Sequence, residues 1–333
     1  MDKPLLLQAF EGVNKTVPVW FMRQAGRYLP EYQKIKQKYS LEEMFRTPDL
    51  ACEITCQPVK ALHVDAAILF ADILTLPALM GVNVRFDNNN GPVIEQNVGV
   101  DSLRDLEHAE HVQETIRQIK GKLSRDIPLI GFAGSPFTVL AYLLEKKSFL
   151  TLHQTVKLIE ENEEMYKKWM EKLTRNTIKY IHYQIEAGAD VIQIFDTWAG
   201  TLRATDYAHW VLPYVQRIFE DISVPSIYYV KNCRHLLALM DKTKADFLSV
   251  CHTVVLGHHS VLEKTKKGIQ GNLYNGLLYA DPKRVEREVK DVLMGGKKHD
   301  RYIFNLNHGI LPDVQPDQLK RIVEQVHRFP WTS

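Results

Sequence analysis

The chain has 333 residues, 45% hydrophobic and 25% charged, with a formal net charge of +2. That is long enough for one large globular domain, and no bulk positive charge is present to draw nucleic acid. The opening MDKPLLLQAFEG is too short an apolar run for a secretory leader, and no window reaches membrane-spanning length, so a cytoplasmic protein without membrane contact is expected. Four cysteines, at positions 52, 56, 233 and 251, are too sparse for a disulfide framework.

In chain order, the first β-rich run is VPVWFM (17–22), followed at once by RQAGR, which carries Arg23 and Arg27. Guanidinium forks match carboxylates, so two of them at a strand end suggest a site for an organic polyanion rather than solvated surface charge. Next, ACEITCQPVKAL predicts a helix with Cys52 and Cys56 one turn apart on a packed face. The strand AAILFA (66–71) precedes NVRFDNNNGPVIEQ (83–96), where an Asn-Asn-Gly turn between alternating runs predicts an inserted β-hairpin. After the strand IPLIGFA (127–133), a helical pattern runs from about Leu152 to Glu186 and stops at Gly188. Five more strands follow: DVIQIF (190–195), PSIYYV (225–230), DFLSV (246–250), KGIQGNL (267–273) and RYIFNL (301–306). Eight strands alternating with helical segments predict a single-domain (β/α)₈ TIM barrel over residues 1–333.

In such a barrel the chemistry sits at the C-terminal ends of the strands. Those ends carry Arg23 and Arg27, Asp72, Ser135, Asp196 and Thr197, Lys231 to His235, Cys251 and His252, Asn272 to Tyr274, and His308. Asp72 closes an apolar strand, where a carboxylate must find donors or take a proton. It either braces the local backbone or serves a ligand. Tyr142, about two turns into the helix after GFAGSPF, faces the barrel mouth or packs as an ordinary core tyrosine. Thr197 offers a hydroxyl donor, while Asp196 braces its loop. His308 is structural, or it donates to a ligand or titrates near neutrality. No metal-ligand spacing, Ser-His-Asp order or nucleotide loop recurs. The residues describe an anion-binding barrel enzyme with nothing that requires a cofactor, and they do not name its substrate.

The opening PVWFMRQAGRYLPEY resembles the N-terminal signature of the uroporphyrinogen decarboxylase family. DAAILFADILTLPALMGV, PLIGFAGSPFTVLAYLLE, AGADVIQIFDTWAG, QGNL and NLNHGILPD extend that resemblance along nearly the whole chain. It implies a (β/α)₈ barrel, usually a homodimer, that converts the four acetate side chains of uroporphyrinogen to methyls without a cofactor or metal. It further implies that Arg23 and Arg27, with Gln24 beside them, meet substrate carboxylates. Asp72 would accept hydrogen bonds from the pyrrole N–H groups, and Tyr142, Thr197 and His308 would contact the acid side chains or assist proton transfer.

Departures from the family pattern gather in the last third. VKNCRH (230–235) stands where a Gly-rich loop is usual, and Val250-Cys251-His252 replaces Leu-Asp-Trp. Asn272-Leu273-Tyr274-Asn275 replaces Asn-Leu-Asp-Pro, and Asn307 replaces the glycine before the final histidine. Two other functions compete on these grounds. One is a tetrapyrrole-binding relative that is non-catalytic or of altered specificity. The other is a zinc-dependent corrinoid and thiol methyltransferase of the same superfamily, which would draw on Cys233, His235, Cys251 and His252.

Overall fold

The computed structural model describes residues 3–87, 91–146 and 152–331. Its strands in chain order are β1 (Ala67–Ile68), β2 (Val84–Asp87), β3 (Gly91–Ile94), β4 (Leu129–Gly134), β5 (Val191–Asp196), β6 (Ser226–Val230), β7 (Phe247–Ser249), β8 (Gly268–Gln270) and β9 (Tyr302–Ile303). Seven of them form one sheet in the order β1-β4-β5-β6-β7-β8-β9, with every pairing parallel. Helices lie between its successive strands except between β7 and β8, and every residue of β4 and β6 is buried. This is a TIM-like α/β barrel architecture.

The run expected as a strand at 17–22 contributes one bridge, Val19 to Phe304, and accepts a 2.8 Å bond from the Asp65 N–H on its other side. Its amides explain the brevity. Pro18 has none, Phe21 N–H donates to Gln24 Oε1, and Met22 N–H donates to Asn305 Oδ1, so side chains replace a ladder partner. Strands β2 and β3 pair antiparallel from Val84–Ile94 to Asp87–Gly91. The turn expected between them falls at residues 88–90, outside the described residues.

The single helix expected from Leu152 to Glu186 is two helices, His153–Glu161 and Glu163–Ala187. Asn162 divides them: it leaves helical geometry at φ −152°, and its side chain accepts from Met165 N–H as an N-cap. Gly188 ends the second helix as expected, at φ 115°, a conformation that costs a residue with a Cβ. Cys52 and Cys56 are both buried on the helix Pro48–Leu62, and burial pushes the Cys56 thiol up to about 11.

Inside the sheet the period-2 alternation of strands selects what points inward. Trp20 Nε1–H donates to Gln270 Oε1 at 2.9 Å, and Gln270 Nε2–H donates to Gln193 Oε1 and Ser249 Oγ at 3.0 Å each. This polar layer, fully buried, crosses the barrel beneath the strand ends. At the N-terminal end of β7, Phe247 packs 4.5 Å from Phe10 of the helix Leu5–Glu11. Fully buried side chains such as Phe137, Phe247 and Phe304 each contribute roughly 1.5–3 kcal/mol.

Candidate active site

At the C-terminal ends of the strands lies a cleft of about 580 Å³. Arg23, Arg27, Asp72, Tyr142, Thr197 and His308 all line it. Six residues from five separate stretches of chain thus meet in one space, five of them from strand ends and Tyr142 from the helix Pro136–Glu145.

The arginine segment is held from below. Trp20, Phe21 and Met22 are buried, and Arg23 follows in the left-handed region at φ 57°, a conformation that costs a non-glycine residue roughly 1–3 kcal/mol. Gly309 lies against its side chain: a Cβ there would stand 2.4 Å from Arg23 Cδ. Both guanidiniums are exposed, and among the described residues neither has an ion pair or hydrogen bond. Gln24 is not brought to the cleft. It is fully buried, with Oε1 taken by Phe21 N–H and Nε2 donating to Ala66 O, so its role is to fold the arginine turn. The residue type suited a carboxylate contact, and its local bonds removed it from the surface.

Asp72 accepts from Leu74 N–H at 2.8 Å through Oδ1, and its own N–H donates to Thr75 Oγ1. Among the described residues its other oxygen has no partner and borders the cleft. Burial pushes its pKa up, opposed by the Leu74 N–H and then by the Arg23 charge. Asp72 therefore braces its turn with one oxygen and offers the other. Tyr142 is half-buried and meets Trp198 edge to face at 5.9 Å. His308 differs from an expectation of titration near neutrality. Burial first, then the charges of Arg23 and Lys231, depress its pKa to about 4, so the ring is neutral at physiological pH. It can still donate an N–H from either tautomer.

Asp196 is fully buried behind the cleft, as its bracing role requires. It accepts from Thr138 Oγ1 at 2.6 Å and from Tyr228 OH at 2.9 Å, and burial raises its pKa to about 6. Ser135 is also buried, leading into the helix Pro136–Glu145.

Sequence reasoning missed the aromatic wall. Phe132 meets Phe195 at 5.4 Å, Phe195 meets Tyr229 at 5.6 Å, and Tyr229 meets His308 at 6.5 Å, an arc along one side of the cleft. The signal was parity. Gln193 lies in the barrel interior, so Phe195 and Thr197 at steps of two face the same way, and Tyr229 pairs with Phe195 in register.

The cysteines and histidines of the last third do not converge as a metal site would need. His235 Nε2 lies 2.8 Å from Leu202 O, while His252 bonds to Asn307. Cys251 N–H donates to Cys233 Sγ at 3.3 Å. Among the described residues, no three His, Cys, Asp or Glu side chains are grouped to hold a metal ion. Among them, too, no helix is long and apolar enough to cross a membrane.

Comparison with known proteins gives the family. The family described as uroporphyrinogen decarboxylase (URO-D) matches residues 1–329. Uroporphyrinogen decarboxylase from Thermodesulfovibrio yellowstonii is 40% identical over 335 residues, covering 98% of each chain. That from Geobacter sulfurreducens is 40% identical over 327 residues, covering 95% of each. Among solved structures, a methyltransferase from Methanosarcina mazei superposes with a TM-score of 0.81 at 21% identity over 98% of both chains, a likeness of fold.

Proposed function

The chain belongs to the uroporphyrinogen decarboxylase family, and from that premise we propose that the cleft removes carboxyl groups from uroporphyrinogen. It is a carboxy-lyase of porphyrin biosynthesis: four acetates become methyls, giving coproporphyrinogen and four molecules of carbon dioxide, with no cofactor taking part. The observation that carries this is the meeting of two unpaired guanidiniums, a half-free carboxyl and a neutral imidazole around an aromatic-walled space.

Losing CO₂ from an acetate leaves an electron pair that needs a sink. Protonating the neighbouring pyrrole carbon makes the ring cationic, and that ring takes the pair as CO₂ leaves; a proton then added to the exocyclic carbon gives the methyl, and loss of the ring-carbon proton restores the pyrrole. Asp72 then accepts the pyrrole N–H groups and faces the cation. Its charge is costly because burial disfavours it, so a positive ring beside it offsets that cost. Arg23 and Arg27 receive the substrate carboxylates with planar forks. Tyr142 and Thr197 supply hydroxyls to the acid side chains, and neutral His308 donates an N–H without adding a charge that would repel the cation. Phe132, Phe195 and Tyr229 give the pyrrole edge an apolar wall.

The finer architecture belongs to the same proposal. The segment 17–22 is the eighth stave, because Val19 bonds on one side to Phe304 and on the other to Asp65. The β2–β3 pair is an inserted hairpin on a one-domain barrel. Two copies form the working unit, in the cytoplasm. Purified protein with uroporphyrinogen under anaerobic conditions tests the activity, the products being oxidised and separated by carboxylate number. Four-carboxylate product is expected, and binding without any loss of carboxyls would overturn the reading.

A further inference from the structure

We propose that Asn307 is a positioning residue for Arg23 and His308, locked by Asn275 and His252 into a clasp that sets where the Gly309 backbone sits. The Oδ1 of Asn307 accepts from Asn275 N–H at 2.7 Å, which orients the amide. Its Nδ2 therefore faces His252, donating to Nδ1 at 3.0 Å, and that ring carries its proton on Nε2. Asn275 Nδ2–H in turn donates to Gly309 O at 2.9 Å. Asn272 anchors the other end, giving two bonds to Cys251 O and Val254 O at 2.9 and 2.7 Å, and His252 rests on Tyr274 at 4.7 Å. Loops after β7, β8 and β9 are tied together by these side chains.

The clasp ends on the arginine. Gly309 has its Cα so near Arg23 that any Cβ would collide with the side chain, and Ile310 N–H bonds to Met22 O at 2.9 Å. A shift of the 307–310 backbone must move the guanidinium, and His308 sits within that stretch.

Three departures from the family pattern make one unit here. A proline at 275 has no N–H to give, and a glycine at 307 has no side-chain oxygen to receive one. A tryptophan at 252 has a donor only, so it cannot accept from an amide as His252 does. The bonds from Asn307 to Asn275 N–H and to His252 therefore need these departures together, while Asn275 Nδ2–H reaches Gly309 O on its own.

The inference rests on the decarboxylase reading for its assay. Asn307→Ala should lower kcat/KM about tenfold, since displacing a positioned group is costly even where the chemistry is untouched. Asn307→Asp keeps an acceptor for Asn275 N–H and should recover most of that loss. In an Arg23→Ala background Asn307→Ala should cost less than it does alone, because the Arg23 share of the placement is already gone and only that of His308 remains. His252→Ala, on the exposed edge, breaks only the outer link and should cost a few-fold. A wild-type kcat/KM in Asn307→Ala would overturn the proposal. So would effects that multiply in the Arg23→Ala, Asn307→Ala double variant, as a general loss of stability would give. Should the wild-type protein not turn over, the decarboxylase reading fails on its own. The same set of variants is then titrated with uroporphyrin by fluorescence, and non-additive binding losses support the clasp while additive ones sink it.

Discussion

The two halves of the cleft rim treat their polar side chains in opposite ways. On the first-half side, together with His308, the groups have few partners within the protein: Arg23, Arg27, Thr197 and one oxygen of Asp72 face the cleft without a described hydrogen bond. On the second-half side the groups are spent on each other, Asn272 on the 251–254 backbone and Asn307 on His252 and Asn275. Polar groups left without protein partners around a half-closed space keep their hydrogen-bonding capacity for a ligand. Paired groups set geometry. The first half is therefore the binding face and the second half its frame.

Asp72→Asn is the severest test of that division. It keeps the Leu74 N–H acceptor and the shape but removes the charge facing the ring, and turnover should drop ~10²-fold or more in the uroporphyrinogen assay. Undiminished turnover would move Asp72 into the frame.

A second test separates Asp196 from His308 by pH. The folded pKa of Asp196 is raised to about 6 from 3.8, so the folded state holds the extra proton and stability falls as pH rises through about 4 to 6. The span corresponds to roughly 3 kcal/mol. His308 runs the other way: its pKa falls from 6.5 to about 4, so its share of stability is lost as pH drops from about 6.5 towards 4. The two slopes offset each other in the wild-type chain. Denaturant unfolding from pH 4 to 7 should show Asp196→Asn gaining relative stability as pH rises, and His308→Asn losing it. Parallel curves for both variants would show that neither group titrates as its surroundings require.

Arg23→Gly should split activity from stability. It deletes a cleft guanidinium while easing the left-handed backbone, so kcat/KM falls about tenfold as Tm holds or rises. Arg27→Ala should raise KM more than it lowers kcat, by a similar factor, as expected for a carboxylate contact. The mildest change belongs to the frame. Replacing Cys251 and His252 with Asp and Trp loses the acceptor for Asn307 and should cut activity a few-fold, whereas a gain would show that the pair only fills space.

The strands were legible because burial on both faces leaves unbroken apolar runs: five of the seven in the sheet lie inside the expected spans, and β4 and β5 each run one residue past theirs. The 17–22 run reads as a full strand in sequence, yet its amides go to Gln24 and Asn305, the latter 283 residues away, which no local pattern reveals. The Leu152–Glu186 helix hid its break because Asn162 interrupts neither the charge nor the apolar spacing around it. Placement at strand ends, with a helix position for Tyr142, picked out Arg23, Arg27, Asp72, Tyr142, Thr197 and His308, which line one cleft. It also admitted Gln24, whose bonds are formed by a three-residue turn, and passed over Phe195 and Tyr229, which only inward parity identifies. Of the alternatives left open for His308, titration near neutrality is the one its surroundings disfavour, because its burial and then the Arg23 and Lys231 charges, which arrive from other strands, are not visible locally.

The segment carrying both arginines is joined to its neighbours by few backbone bonds, and the most distant of its anchors come from the end of the chain. Closing so long a loop is entropically expensive, so this seam is late to form and early to open. The anion cradle thus exists only once residues beyond 300 have docked, and a ribosome-bound chain has none. A polyanionic ligand spanning Arg23 and Asp72 would act as a suture across the seam. Amide exchange at Val19, Trp20 and Met22 should slow on ligand binding more than exchange in β5 or β6, whose ladders are already continuous.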